Sequence, residues 1–236
     1  MRVKFKQAVW SLALAASVAS PAAQAAIQRL VGTNVTYQYD DAVVGLFGLP
    51  TLAGDSLTFT PTNFKALSSD GQFTNVNSTI NVQIFAHTGY TFPGVTVQES
   101  GDYYLIGSDA QVAVGGQIRA YDLLNPLPTS AHITDPIVAT APLTTTTTLS
   151  NFGTTNWQAD AMVNLPTAWS AGGINLTIEN ILIAFTANQG SAAMIEKKFV
   201  GTAIVITPVP EAETYAMMLA GLGLVGWMAG RRRQFV

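Results

Sequence analysis

Residues 174–185 read INLTIENILIAF. Ile174, Leu176 and Ile178 alternate with polar neighbours, and Ile181, Ile183 and Phe185 alternate again after Asn180. A period of two is the mark of a strand with one face on a core and the other in water. The same period recurs outward along the chain, at Val35-Tyr37-Tyr39, Leu57-Phe59, Ile80-Val82-Ile84, Val95-Val97 and Val112-Val114. It returns at Trp157-Ala159-Ala161-Val163 and Ala203-Val205. Clusters of Gly, Asn, Asp, Ser and Pro separate these runs, at residues 45–50, 68–71, 89–94, 115–116, 125–128, 171–173 and 188–191. No long apolar pattern of helical period interrupts them between Ile27 and Thr207. Several short strands at this spacing predict an all-β domain, a single β-sandwich over residues 26–208, with the jelly roll as one form of it. Residues 125–142 hold four prolines and read as the longest irregular connection. Leu143 to Leu149 reads LTTTTTL, an edge strand or a solvated loop.

The chain contains no cysteine, so packing rather than disulfides has to stabilise it. A body of about 180 residues buries enough surface for that. Mean hydropathy is +0.29 and 11% of residues are charged, a bias that comes largely from the two ends. Between Ala26 and Pro208 there are five basic and twelve acidic residues, a net charge near −7. Such a body repels polyanions, which excludes nucleic acid as a partner.

The ends are different in kind. The first stretch, MRVKFKQAVWSLALAASVASPAAQAA, has a basic start, an apolar run and small residues flanking a cut, with Ala23 and Ala25 as the cleavage signature. That order predicts a secretory signal peptide over residues 1–25. The last stretch, residues 209–236, reads VPEAETYAMMLAGLGLVGWMAGRRRQFV. Tyr215 to Gly230 is free of charge, and as a helix would be about 24 Å long against about 30 Å of hydrocarbon. Arg231, Arg232 and Arg233 follow directly. A basic cluster stays on the cytoplasmic side. The two ends therefore predict one topology, with the body outside, a C-terminal transmembrane sorting helix and the arginines inside. Gly226 and Gly230 also form a G-x-x-x-G spacing, a common product of glycine-rich runs.

The tail resembles the PEP-CTERM sorting signals of Gram-negative bacteria. The resemblance rests on Val209-Pro210-Glu211-Ala212, the glycine- and leucine-rich run from Leu219 to Gly226, and the terminal arginines. Ala212 stands where that family usually has proline. The resemblance implies an exosortase as partner, at least a transient stay in the inner membrane, and later display at the cell surface or in an extracellular matrix linked to exopolysaccharide and biofilm.

Catalytic and binding signatures are sparse. Gly54-Asp55-Ser56-Leu57 spells the GDSL motif of a serine hydrolase family, but it runs straight into the apparent strand Leu57-Thr58-Phe59. Neither His87 nor His132 has the Asp-x-x-His spacing of that family. A turn before a strand explains it. Two isolated histidines do not make a zinc site. Calcium is the one metal the residues allow, through Asp40, Asp41, Asp55, Asp102, Asp109 and Asp122. Tyr37, Tyr39, Tyr90, Tyr103, Tyr104 and Tyr121 add aromatic surface, and Trp157 and Trp169 are the candidate glycan contacts. The sequence thus predicts an exported, non-enzymatic protein without a cofactor, structural or adhesive in role, with a carbohydrate-binding module as the alternative.

Overall fold

A computed structural model describes residues 26–125, 132–148 and 152–232. The signal sequence, with Ala23 and Ala25, lies outside the described residues, as do Leu149 and Arg233.

The body is a sandwich of two antiparallel sheets. The first runs β1 (Ile27–Val31), β2 (Val35–Asp40), β6 (Phe73–Ala86), β13 (Ile174–Phe185), β9 (Gln111–Asp122) and β10 (Ile133–Pro136). The second runs β11 (Val138–Ala139), β12 (Thr155–Asn164), β8 (Gly94–Ile106), β14 (Ala192–Val205), β4 (Ser56–Phe59) and β3 (Pro50–Ala53), and β5 (Lys65–Ser69) also pairs with β14. A third, small sheet joins β7 (Tyr90–Thr91) to β15 (Val209–Pro210). One helix, α1 (Ala212–Arg232), follows.

The chain changes sheet at most of its long connections. Long strands therefore pair with partners remote in sequence, as where Ile178 stands opposite Ile80 on one side and Ile118 on the other. A jelly roll sets its first strand beside its last. Here β14, the last long strand, lies beside β4 and β5, and the orders β4-β14-β8-β12 and β6-β13-β9-β10 are those of the two jelly-roll sheets, with β1 and β2 added beside β6 and β3 beside β4. Residues 133–139 form one edge that serves both sheets, pairing with β9 and then β12, with buried Ile137 at the crossing. That edge closes the side of the core.

Each sheet turns one face inward. Val35, Tyr37, Val82, Ile84, Leu176, Ile178 and Ile118 of the first meet Leu57, Phe59, Val95, Val97, Ala161, Ile195 and Ile204 of the second in one apolar cluster. The strands are longer than the sequence pattern implies. β6 has 14 residues, and its Asn75, Asn77, Thr79 and Asn81 are exposed on the outer face, so the strand begins well before the Ile80-Val82-Ile84 alternation that marks it in the sequence. Gly115 and Gly116, read as a break, sit inside β9. Gly116 has φ of 126°, and a Cβ there would lie 2.0 Å from the carbonyl oxygen of Glu179, so only glycine fits.

The opening stretch needs a correction of phase. Residues 174–185 are one continuous strand. Ile174, Leu176, Ile178, Leu182 and Ala184 point inward, and Ile181, Ile183 and Phe185 are on the outer face. The inward phase passes through Asn180, which is fully buried.

The transmembrane expectation is also corrected. Among the described residues no helix is long and apolar enough to cross a membrane. Helix α1 carries Glu213 in its first turn and ends at Arg231 and Arg232, and glycines dilute the uncharged run between them. The side chains of Met217, Leu219, Leu222, Leu224 and Val225 are exposed.

Candidate functional site

The motif that sequence reasoning singled out lies where the body ends and the helix begins. Val209 pairs with Thr91 and Pro210 with Tyr90. The Glu211 amide donates to the Gly89 carbonyl at 2.9 Å, and the Thr91 hydroxyl donates to the Val209 carbonyl at 3.5 Å. Three consecutive motif residues are thus held extended along the 89–91 segment. Ala212 then opens α1, whose first turn is closed by the Tyr215 amide donating to Glu211. Proline fits Pro210, since a two-stranded sheet leaves one side of each strand without ladder bonds. The outer edge of β15 is unpaired among the described residues, the arrangement to which an extended-peptide-binding enzyme adds a strand.

The tryptophans have another role. Trp157 is 3% exposed and its indole N–H donates to the Glu196 carbonyl at 3.1 Å. Trp169, 9% exposed, sits in a single 3₁₀ turn over the core. Trp157 lines the floor of a groove on the second sheet, but both rings belong to the apolar core and expose too little surface to stack on a sugar, which corrects the expectation of glycan contacts. Tyr37, Tyr39 and Tyr103 are likewise buried. Tyr104 packs on exposed Phe152 at 4.9 Å, and Tyr121 lies beside His132 at 5.8 Å.

The aspartates act as clamps between turns. Asp55 accepts from the amides of Asn34 and Val35 and from the Asn34 side chain, which ties the β1–β2 turn to the β3–β4 turn. This is the GDSL segment, with Gly54 at φ of 61° in a two-residue hairpin turn and Ser56 opening β4. At the other end Asp109 accepts from the amides of Ala187 and Asn188 and from the Ser191 hydroxyl at 2.5 Å. Those bonds, the Ser191 hydroxyl foremost, hold its carboxyl down at about 2. Asp40 caps Ala42, Asp41 accepts from Gln28, and Asp122 accepts from Leu124 and Asn125. Asp102 pairs with Lys198 at 2.6 Å. The six candidate calcium ligands are therefore dispersed over separate turns and strands, and among the described residues no three acidic or histidine side chains gather around one point.

One group was missed by sequence reasoning. Glu99 of β8 and Lys197 of β14 have wholly buried side chains and pair at 2.9 Å. The Lys197 ammonium also donates to the Thr202 hydroxyl at 2.9 Å and lies 5.5 and 5.1 Å from the ring centres of Phe47 and Phe64. Asn180 reaches across from the other sheet, its amide nitrogen donating to the same Glu99 oxygen that Lys197 engages. The second Glu99 oxygen and the Asn180 carbonyl oxygen are buried without a partner. Burial pushes the Glu99 carboxyl up and brings the Lys197 amine down to about 8. The signal was present as three polar residues at inward positions of apolar alternations: Val95-Val97-Glu99, Ile178-Asn180-Leu182 and Ala193-Ile195-Lys197.

No curated protein matches the chain. Residues 208–233 match the family description PEP-CTERM protein-sorting motif, which spans the strand, the helix and the arginines described above. The chain thus carries the PEP-CTERM protein-sorting motif, which implies export, a membrane-anchored precursor and processing by an exosortase.

Proposed function

We propose that the sandwich is cargo and the tail its removable label, and that the delivered body is a structural or adhesive component of the cell surface or of an exopolysaccharide matrix. The observation that carries this is the junction. An extended motif with one open edge separates a body with a closed apolar core from a helix whose described apolar side chains are exposed. A helix short in uncharged residues suits a temporary hold on the membrane better than a permanent one. The body is acidic and free of cysteine, and aspartate clamps brace its turns, which fits durable service outside the cytoplasm. The test is the intact mass of the protein from hosts with and without an exosortase. The expected outcome is a chain ending within the motif only when the enzyme is present. An identical C-terminus in both hosts refutes the reading. Fractionation then addresses the role of the body, which is expected to co-purify with extracellular polysaccharide rather than with the free medium.

A second reading, a carbohydrate-binding module, draws on an open groove of about 820 Å³ on the second sheet, where Ser100, Asp102, Asn156, Gln158 and Lys198 offer hydrogen-bonding groups suited to sugar hydroxyls. Glycan binding that disappears in Asn156→Ala and Gln158→Ala favours it over a purely structural role.

A further inference from the structure

The buried trio is not explained by the fold or by the sorting tail. Its members come from three strands and both sheets: Glu99 on β8, Lys197 on β14 and Asn180 on β13. Each occupies an inward position that its neighbours fill with apolar side chains. As a source of stability the arrangement is poor. A buried ion pair seldom repays its desolvation, and this one leaves two further polar atoms without partners, Glu99 Oε2 and Asn180 Oδ1. An apolar trio of the same volume would hold the core at least as well.

Read as chemistry, the same residues have a use. A primary amine, a carboxamide and a carboxyl group held together away from water are two reactants and an acid–base catalyst for amide exchange. Lys197 Nζ and Asn180 Nδ2 both engage Glu99 Oε1. Two groups that share one oxygen at hydrogen-bond range lie within about 6 Å of each other. We propose that Lys197 and Asn180 are joined through their side chains by an intramolecular isopeptide bond, formed with Glu99 as the acid–base group.

The steps balance without any co-reactant. A proton passes from the Lys197 ammonium to Glu99, giving a neutral amine and a neutral carboxylic acid. Burial favours both neutral forms, the direction in which both groups are displaced. The Nζ lone pair attacks Asn180 Cγ, forming the Cγ–Nζ bond, while Glu99 delivers its proton to Oδ1. Glu99 then takes a proton from Nζ and passes it to Nδ2. The Cγ–Nδ2 bond breaks and ammonia leaves. The carbonyl re-forms as the Oδ1 proton returns to Glu99. Nothing is oxidised or reduced. In the product the protonated Glu99 donates to the new amide carbonyl and accepts from the new amide N–H. The two atoms now without partners, Glu99 Oε2 and Asn180 Oδ1, thereby acquire them.

The surroundings fit the reaction. Phe47, Phe59 and Phe64 form a cluster of edge-to-face rings, two of them against Lys197, which keeps the site apolar. Lys197 directly precedes a bulge in which residues 198–201 of β14 stand opposite the single residue Ser100 of β8. The bond would bolt β14 to β13, one sheet to the other, in a chain that has no cysteine to do so.

Cleavage of the denatured full chain after glutamate decides the matter, because Glu179, Glu196 and Glu211 place Asn180 in residues 180–196 and Lys197 in residues 197–211. The expected result is a single branched fragment, lighter by one ammonia than the two peptides together, whose tandem mass spectrum puts the link at Lys197 and Asn180. Two separate peptides of sequence mass overturn the proposal, whatever any variant does. In Glu99→Gln the two peptides are expected to separate; a link that persists there overturns the role of Glu99. In Asn180→Asp the link is expected to re-form with loss of water, giving a branched fragment of the same mass as the wild-type one.

Discussion

The body and the tail contain apolar residues in comparable plenty and place them in opposite ways. In β13 every second residue is apolar and buried up to Ile178, and Leu176 has no exposed surface. In α1 Leu222 is 62% exposed and Leu219 64%. The strand's period matches a face that a second sheet covers. The helix has no such partner within the described body. Hydrophobicity therefore does two jobs in one chain: in the sandwich it drives folding, and in the tail it is kept free for recognition elsewhere. The sharpest way to break this comparison is to truncate the same residue type on both sides. Leu176→Ala is expected to cost about 2–5 kcal/mol in denaturant unfolding, through lost transfer energy and a residual cavity. Leu222→Ala is expected to stay within about 0.5 kcal/mol, as for a surface site. A tail substitution as costly as the core one would mean that α1 packs on the body.

The next contrast lies inside the body, between an apolar inward position and the polar ones at Glu99, Asn180 and Lys197. Glu99→Gln is expected to leave Lys197 as a free, buried amine. Lys197 is already brought down to about 8 with the carboxylate beside it, and removing that carboxylate lowers it further. The unfolded chain keeps the proton up to the ordinary lysine value. The unfolded state therefore binds more protons between the two values, and stability rises with pH across that window. The expected gain is on the order of a few kcal/mol between pH 8 and 10.5, read from unfolding midpoints. Wild-type protein, with the amine consumed in an amide, is expected to show no such rise from this residue. A free Lys197 in the wild type would give the two proteins slopes of the same sign.

These residues also show what the sequence reveals and what it conceals. The tail is legible because its message is local: a short motif, an uncharged run and an arginine cluster lie in one stretch of about two dozen residues, of the order a short helix needs. The strands are legible where their inward face is apolar and their outer face polar, as at Ile80-Val82-Ile84. They fade where the outer face is amide-rich, as at Asn75 and Asn77, because asparagine also marks turns. Residues 181–185 mislead because both faces carry apolar side chains, so periodicity alone cannot choose the phase. The choice depends on Asn180, whose inward position is set by partners on another sheet. Glu99 and Lys197 are adjacent only through the β8–β14 pairing, which no local window contains. Trp157 and Trp169 mislead for a related reason, since a tryptophan reads the same whether its ring faces water or core.

The smallest effect tests the clamps that brace the ends of the sandwich, against the covalent bolt proposed for its middle. Asp109 ties the β8–β9 turn to the β13–β14 turn through two amides and the Ser191 hydroxyl. Its folded value, about 2, lies below the ordinary aspartate value of 3.8. The unfolded state therefore takes up its proton first as the pH falls. The clamp's contribution is complete above the ordinary value and is lost progressively as the pH descends towards about 2. Asp109→Asn is expected to lower the unfolding midpoint slightly at neutral pH and to flatten the acid limb of the stability curve. Because the carboxylate is at the surface, salt should weaken the effect. Amide exchange localises it: the N–H groups of Ala187 and Asn188 are expected to lose protection in the variant, while that of Ile178, in the middle of β13, keeps it. Equal loss at Ile178 would show that the clamp supports the whole sandwich rather than one pair of turns, and would erase the distinction between its braced ends and its bolted centre.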